Sequence, residues 1–484
     1  MAVPARAASA AGRPPAAGIN GNGNAGPHLT DESDRLRRID AECMSWGDTV
    51  HYAKDPLIVT GCTRDTVDDD SGHTYLDTGM WHSSCNFGYA NQTISDAVAA
   101  QLGALPQVCG DYLHREKLLL AEQVVTTIEE RTGVRGRVSF NVGGALAVED
   151  ALKLVRKHTG KNRMAVFTGS YHGRSLGTLS LSSSHRYRQY YNEFADRAVM
   201  LPFADCAHCY YGKSPVDCGL FCGAMVTKAV SNEYYGLATD DSTEIGGMFI
   251  EAAQGRGYTI PPRGFYREFV DEMRRRGVLI VADEIQVGMF RTGRLFAFEH
   301  FGFVPDIITM GKSLTNGLSP LSLTWARESL VAPTIVTPGH THSNFANHSL
   351  GTAAGLATWR YMMAQDYDVS VPRKGALFLA GLRRLKARHP WIASVDGLGL
   401  LANMVFSDSH DRPLRGLAKR AVEVGQRRDC TWEGARWRML LSAGGPELNV
   451  LKFAPYLDIT EPEIDRTIGV LGQILDEVGA GLAR

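Results

Sequence analysis

The sequence predicts an α/β protein: a large domain with a mostly parallel central sheet flanked by helices, plus a smaller α+β domain built from both chain ends. Three observations carry that reading. Short β-rich runs alternate with helical patterns from about residue 138 to 325, the runs are apolar throughout and not alternating, and neither an internal repeat nor a Pro- or Ser-rich linker interrupts them.

In order, "RVSF" precedes the helical "AVEDALKLVRKH"; "MAVFTGS" follows; "GGMFIEA" precedes the helical "YREFVDEMRRRG"; "VLIVADE" and "DIITMGK" close the series. Upstream, "VDDDSGHTYLD" reads as a hairpin turned by Asp70, Ser71 and Gly72. Downstream, "RKGALFLAGLRRLKARH" has helical spacing and "LGLLANMVF" is strand-like. A final helix in "TEPEIDRTIGVLGQILDEV" opens on Thr460 and Glu463 as a capping box. The expected divisions are a tail at 1–28, an N-terminal part of the small domain at 29–90, the large domain at 91–365, and a C-terminal part of the small domain at 366–484.

Composition narrows the function classes. The 484 residues are 44% hydrophobic and 21% charged, as in ordinary globular proteins. With 51 Lys+Arg against 52 Asp+Glu, nothing argues for nucleic acid or an anionic membrane surface as partner. No apolar run reaches the roughly 18 residues of a membrane span, and the N-terminus lacks a secretory pattern, so the expected location is the cytoplasm. The first 28 residues are Ala-, Gly- and Pro-rich and read as a disordered tail, with two arginines and no acid as the only hint of a transit peptide.

Nine cysteines are scattered except in "CAHCYYGKSPVDCGLFC", where Cys206, Cys209, Cys218 and Cys222 stand at C-x2-C-x8-C-x3-C spacing. Four thiolates there would close a zinc or iron-sulfur site; reduced cysteines packed on a surface excursion are the other reading. No metal is assigned.

Ligands of parallel sheets bind beyond the carboxyl ends of the strands. The residues just after the apolar runs are Gly144, Ser170 to Gly173, Glu251, Asp283 and Lys312. Asp283 ends a strongly apolar run, and a buried carboxylate needs a cation. Lys312 ends the neighbouring run, and a buried lysine loses its proton readily, which makes it a nucleophile toward a carbonyl. Pyridoxal 5'-phosphate supplies an aldehyde for the lysine and a ring nitrogen for the aspartate. Its phosphate needs a site such as the helix start after Gly143 and Gly144, and its ring needs an aromatic face such as Tyr171, beside His172.

The block "VLIVADEIQVGMFRTGRLFAFEHFGFVPDIITMGKSLTNGLSPLS" resembles the signature of the class III (omega-type) aminotransferases of pyridoxal-phosphate fold type I, and weaker similarity runs from about residue 55 to 475. The resemblance implies Lys312 as the Schiff-base lysine and Asp283 as partner of the ring nitrogen. It implies Gln286 at the ring hydroxyl, Ile285 behind the ring and Tyr171 stacked on the other side. Gly144 and Ala145 are implied to bind phosphate through backbone N–H groups, and Ser343 to reach the phosphate of the neighbouring subunit of a homodimer with shared active sites. Trp81 falls where relatives place substrate-pocket aromatics. Glu251, in "EAAQG", matches a glutamate that pairs in relatives with an arginine; here Lys452 stands at that arginine's position.

The departures matter too. Gly143 to Ala147 replace the family's S-G-[ST]-E-A, so a hydroxyl contact to phosphate is lost, and Lys452 offers a point charge in place of a two-pronged fork. Asp396 stands where relatives have arginine, and no feature of the sequence explains it. The implied activity is transfer of an amino group from a primary amine or omega-amino acid to a 2-oxo acid or aldehyde by a ping-pong mechanism. A racemase, aminomutase or decarboxylating transaminase would use the same residues, and a non-catalytic protein stapled by metal at the four cysteines is the alternative of another class.

Overall fold

The computed structural model describes residues 27–48, 56–189, 191, 198–231, 233–239, 242–346 and 348–482. The expected tail therefore lies outside the described residues up to residue 26, and helix Pro27–Cys43 begins inside its last two positions. The chain divides into two compact units, Met1–Val59 with Asp69–Gly72, and Thr60–Asp68 with His73–Arg484. In the first, the helix carries an exposed Arg35–Glu32 ion pair at 3.1 Å and Arg37 donates to the Pro56 carbonyl at 3.3 Å.

The second unit is built on a seven-stranded sheet. Its strands, numbered along the chain, are β1 (Gly136–Asn141), β2 (Arg163–Phe167), β3 (Ala198–Leu201), β4 (Ile245–Ile250), β5 (Leu279–Asp283), β6 (Ile307–Met310) and β7 (Ser322–Arg327). Their spatial order is β1-β7-β6-β5-β4-β2-β3. Pairing is parallel except at β7, which runs antiparallel to both β1 and β6.

All residues of β4 and β6 are buried, which is why their sequences carry no alternation. Adjacent residues nonetheless serve opposite faces. Phe249, Val281 and Ile307 join Val148, Leu152 and Val155 of helix Gly144–Thr159 in one apolar cluster, while Met248, Ile280 and Ile308 belong to the other. Each such side chain contributes about 1.5–3 kcal/mol on burial. Strands β3 and β7 escape the sequence reading for different reasons. β3 is a four-residue, half-buried run, and β7, SLTWAR, alternates Ser, Thr and Arg with Leu, Trp and Ala, so although it is buried through Ala326 it forms no continuous apolar run.

Strand Thr66–Asp69 pairs antiparallel with Thr74–Asp77, as the hairpin pattern predicts. Thr74–Asp77 then pairs parallel with Ala435–Leu440, so segments from both chain ends share one sheet. A four-stranded antiparallel sheet holds β8 (Ile392–Leu398), β9 (Leu401–Phe406), β10 (Ser442–Gly444) and β11 (Val450–Phe453), in the order β8-β9-β11-β10. Helix Tyr367–Arg388 packs on β8 and on helix Glu461–Ala480. The latter starts with the expected capping box, Thr460 N–H donating to Glu463 at 2.8 Å. The helix expected in "YREFVDEMRRRG" breaks at Phe269 into a 3-10 turn and a short helix.

One buried cation ties these parts together. Arg291 is fully buried and donates to Asn86 Oδ1 through Nε at 3.2 Å, to the Leu400 carbonyl at 3.3 Å and to the Pro455 carbonyl. Burial lowers its pKa to about 10, opposed by Tyr258 and Tyr367. The neighbouring backbone is close: a Cβ at Gly399, whose φ is +60°, would lie 2.4 Å from the Thr292 carbonyl carbon. Arg291→Met leaves three acceptors without a donor, and we expect it to destabilise the fold by about 3 kcal/mol or more. Urea unfolding of the two proteins measures this; equal midpoints overturn it.

Candidate active site

Five strands of the sheet deliver their carboxyl ends to one cavity of about 450 Å³. Its lining includes Gly144 and Ala145 after β1, Tyr171 and His172 after β2, Glu251 after β4, Asp283, Ile285 and Gln286 at the end of β5, and Lys312 after β6. The register explains the meeting of acid and base. Asp283 pairs with Thr309 on β6, three residues before Lys312, so both functional groups leave the sheet side by side. Lys312 has φ +46°, a left-handed conformation that costs a non-glycine residue about 1–2 kcal/mol.

Asp283 is 5% exposed. Its Oδ2 lies 2.7 Å from His172 Nδ1 and its Oδ1 accepts from Ile285 N–H at 3.1 Å. An ionised carboxylate only accepts, so His172 Nδ1 carries the proton, and its Nε2 has no partner among the described residues. Burial opposes the charged imidazole, but the hydrogen bond and charge of Asp283, aided by Glu251, raise its pKa above the usual histidine range.

Glu251 is held by backbone. Its two carboxylate oxygens accept from Tyr171 N–H at 2.7 Å and Gly255 N–H at 2.8 Å. Burial raises its pKa, Asp283 adds to the rise and His172 opposes it. Lys452, on β11, donates to the Gly255 carbonyl at 3.3 Å and stands 5.0 Å over the Tyr258 ring. Burial, then the charge of Lys312, lowers its pKa to about 8 against the pull of Glu251. Burial likewise lowers the pKa of Lys312, partly offset by Asp283 and Glu251.

The residues fit pyridoxal 5'-phosphate. Helix Gly144–Thr159 begins at the cavity, and the first N–H groups of any helix lack intrahelical acceptors. A Cβ at Gly144 would lie 3.0 Å from Ile285 Cδ1, so the backbone there approaches the cavity as only glycine permits without displacing Ile285. An amine, a buried carboxylate, a phosphate cradle and the Tyr171 ring are the donor set that cofactor requires.

Three expected residues stand apart from this lining. Trp81 is 60% exposed and packs toward Gly317, in a turn whose four residues Met80 to Ser83 all have positive φ. That turn meets the cavity lining through Gln286 Nε2, which donates to the His82 carbonyl at 3.4 Å and to Tyr258 Oη at 3.1 Å. Ser343 donates to Asn141 Oδ1 of its own chain at 3.3 Å. Lys452 meets the site through Gly255.

Arg174 also lines the cavity, and sequence reading passed over it. Its guanidinium stacks on Tyr187 at 4.2 Å and on Tyr171 at 5.8 Å. Its position two residues after His172 was a usable signal. The four clustered cysteines are free thiols lining a separate small cavity. Among the described residues no group of three His, Cys, Asp or Glu has metal-holding geometry.

Residues 50–475 match the family model described as aminotransferase class III. Acetylornithine aminotransferase of Mycolicibacterium smegmatis is 30% identical over 88% of this chain and 95% of its own length. Taurine–pyruvate aminotransferase of Bilophila wadsworthia is 27% identical over 91% of this chain and 96% of its own length. An S-selective transaminase from Arthrobacter sp. superposes with a TM-score of 0.79 at 22% identity, covering 93% of this chain and 99% of that one.

The depressed pKa of Lys452 makes a pH prediction. Between about 8 and the ordinary 10.5, the unfolded chain binds a proton that the folded chain does not, so stability rises with pH across that window. Below it the full cost of burying the ammonium is felt. Lys452→Met should therefore be more stable than wild type at neutral pH, by a margin that shrinks as pH climbs through the window. Urea midpoints on both sides of the window test this, and a margin independent of pH contradicts it.

Proposed function

The chain belongs to the class III aminotransferases, and from that membership together with the Lys312 cavity we propose how its residues divide the work. It is a pyridoxal-phosphate-dependent enzyme of fold type I that passes an amino group from an amine donor to a keto acid. The observation that carries the assignment of roles is the convergence of Lys312, Asp283, Tyr171 and the start of helix Gly144–Thr159 on one cavity.

When bound, the cofactor supplies an electron sink conjugated to the substrate's amino-bearing carbon. Lys312 would hold it and would move a proton at that carbon through Nζ; burial lowers its pKa, which favours the neutral amine that such a base needs. Asp283, held by His172, would keep a proton on the ring nitrogen. Gly144 and Ala145 would hold the phosphate through N–H groups, and Tyr171, Ile285 and Gln286 would hold the ring and its hydroxyl. Ser343 acts on the phosphate of a partner subunit in a cytoplasmic homodimer, and the two chain ends, 29–90 and 366–484, form the small domain. Trp81 lies at the donor's path.

Lys452 and Glu251 sort substrates by charge. With Glu251 tied to Gly255 and Tyr171, Lys452 is a cation available to a substrate carboxylate. The relatives' names include a substrate whose amine is remote from its acid group, which supports a primary amine or omega-amino acid donor and a 2-oxo acid acceptor.

Two outcomes are expected. Lys312→Ala abolishes the covalently held cofactor absorbance, and borohydride fixes no cofactor to the variant; fixation at wild-type stoichiometry overturns the role. Lys452→Ala raises the KM for 2-oxoglutarate by about tenfold or more, the loss of one charge-assisted contact. An unchanged KM removes Lys452 from carboxylate binding. Net transfer of nitrogen to added 2-oxoglutarate separates this activity from racemisation.

A further inference from the structure

The turn between β1 and helix Gly144–Thr159 is made of the residues a chain restrains least. Gly143 and Gly144 carry the backbone from the strand into the helix, and glycine loses more conformational freedom on folding than any other residue. Packing does not hold Gly143, because a Cβ built on it meets nothing within 4 Å. As the helix N-cap it also lacks the side-chain oxygen with which Ser, Thr, Asp or Asn usually closes a first turn.

Hydrogen bonds hold the turn instead. The N–H groups that a helix starting here leaves without an intrahelical acceptor are those of Gly143, Gly144, Ala145 and Leu146. Leu146 N–H folds back onto the Gly143 carbonyl at 2.9 Å, and Gly143 N–H donates to Ser322 Oγ at 3.2 Å. The N–H groups of Gly144 and Ala145, two residues of the Lys312 cavity lining, have no acceptor among the described residues.

Ser322 closes this arrangement from another element. It is fully buried at the start of β7 and pairs with Asn141 across the β1–β7 ladder. Its hydroxyl accepts from Gly143 N–H and donates to the Gly143 carbonyl at 2.8 Å. Gly143 is extended, with φ −177° and ψ 151°, which sets its N–H and its carbonyl on one side so that a single hydroxyl reaches both. The same spot adjoins the catalytic strand end: a Cβ at Gly311, the residue before Lys312, would lie 3.6 Å from Ser322 Cβ and 3.8 Å from Gly144 Cα.

On the cofactor placement given above, on which this inference rests, we propose that Ser322 is the positioning residue of the phosphate cradle. It locks Gly143 in the extended conformation that leaves the Gly144 and Ala145 N–H groups as the donors for the cofactor's phosphate. Gly143 stands where the family pattern S-G-[ST]-E-A has its first serine, and Ser322 brings a hydroxyl to that point from a neighbouring strand.

The test titrates the full-length chain, freed of cofactor, with pyridoxal 5'-phosphate and with pyridoxal, which offers Lys312 the same aldehyde without a phosphate. Absorbance of the covalently held ligand gives both affinities. Ser322→Ala should bind pyridoxal 5'-phosphate about tenfold more weakly than wild type and pyridoxal equally well. Ser322→Cys, which keeps the volume with a weaker hydrogen-bonding group, should shift the ratio in the same direction. Gly143→Ala added to Ser322→Ala should regain about two- to fivefold of the lost affinity, because alanine adopts the extended conformation with less freedom to lose. A ratio of the two affinities that both variants leave unchanged overturns the proposal, whether the ligands bind as before, weaken alike or fail to bind. Wild type that holds pyridoxal as tightly as its phosphate ester refutes instead the placement of the phosphate at this turn.

Discussion

The carboxylate of Asp283 sets the terms for everything around it. It sits at the end of a strand buried on both faces, where an isolated charge is costly and a 2.7 Å contact to His172 is strong. The histidine needs the turn after β2 to reach that point, and the turn's backbone is in turn held by Glu251. Removing the acid would therefore disturb three strand ends together. That dependence explains why the chemistry lies at the sheet and not on peripheral loops.

A second consequence is a balance of charge within one low-dielectric region. Burial disfavours the charged forms of Lys312, Lys452 and His172; Asp283 and Glu251 oppose it at Lys312 and His172, and Glu251 opposes it at Lys452. The charge of Lys312 adds to the fall in the pKa of Lys452, and Glu251 opposes that fall. Lys312 emerges beside Asp283, while Lys452 comes from another sheet and is held off at a backbone carbonyl.

The substitutions against the family pattern read differently once packing is known. Lys452 keeps its place although it lacks the fork of arginine, because a backbone carbonyl and a tyrosine ring accommodate a single ammonium. Asp396 has no bearing on the Lys312 cavity and is part of the wall of another. Ser343 bonds within its own chain, and Trp81 stands mostly in solvent, so the roles implied for both depend on contacts beyond a single chain or on a bound substrate.

Much of this was legible before any coordinates. Lys312 and Asp283 were visible because a charge directly after a fully apolar run breaks the one pattern a buried parallel strand must keep, and the hairpin and the capping box were visible because turn and cap chemistry is local. The sequence by itself determined the α/β class, the family block and the acid and amine of the site. Tertiary structure alone decided the reversed direction of β7, the coupling of His172 to Asp283, and a further cavity that shares no lining residue with that of Lys312. Asp205, Arg256 and Asp396 come from distant parts of the chain, and only strand register and loop packing bring them onto one wall.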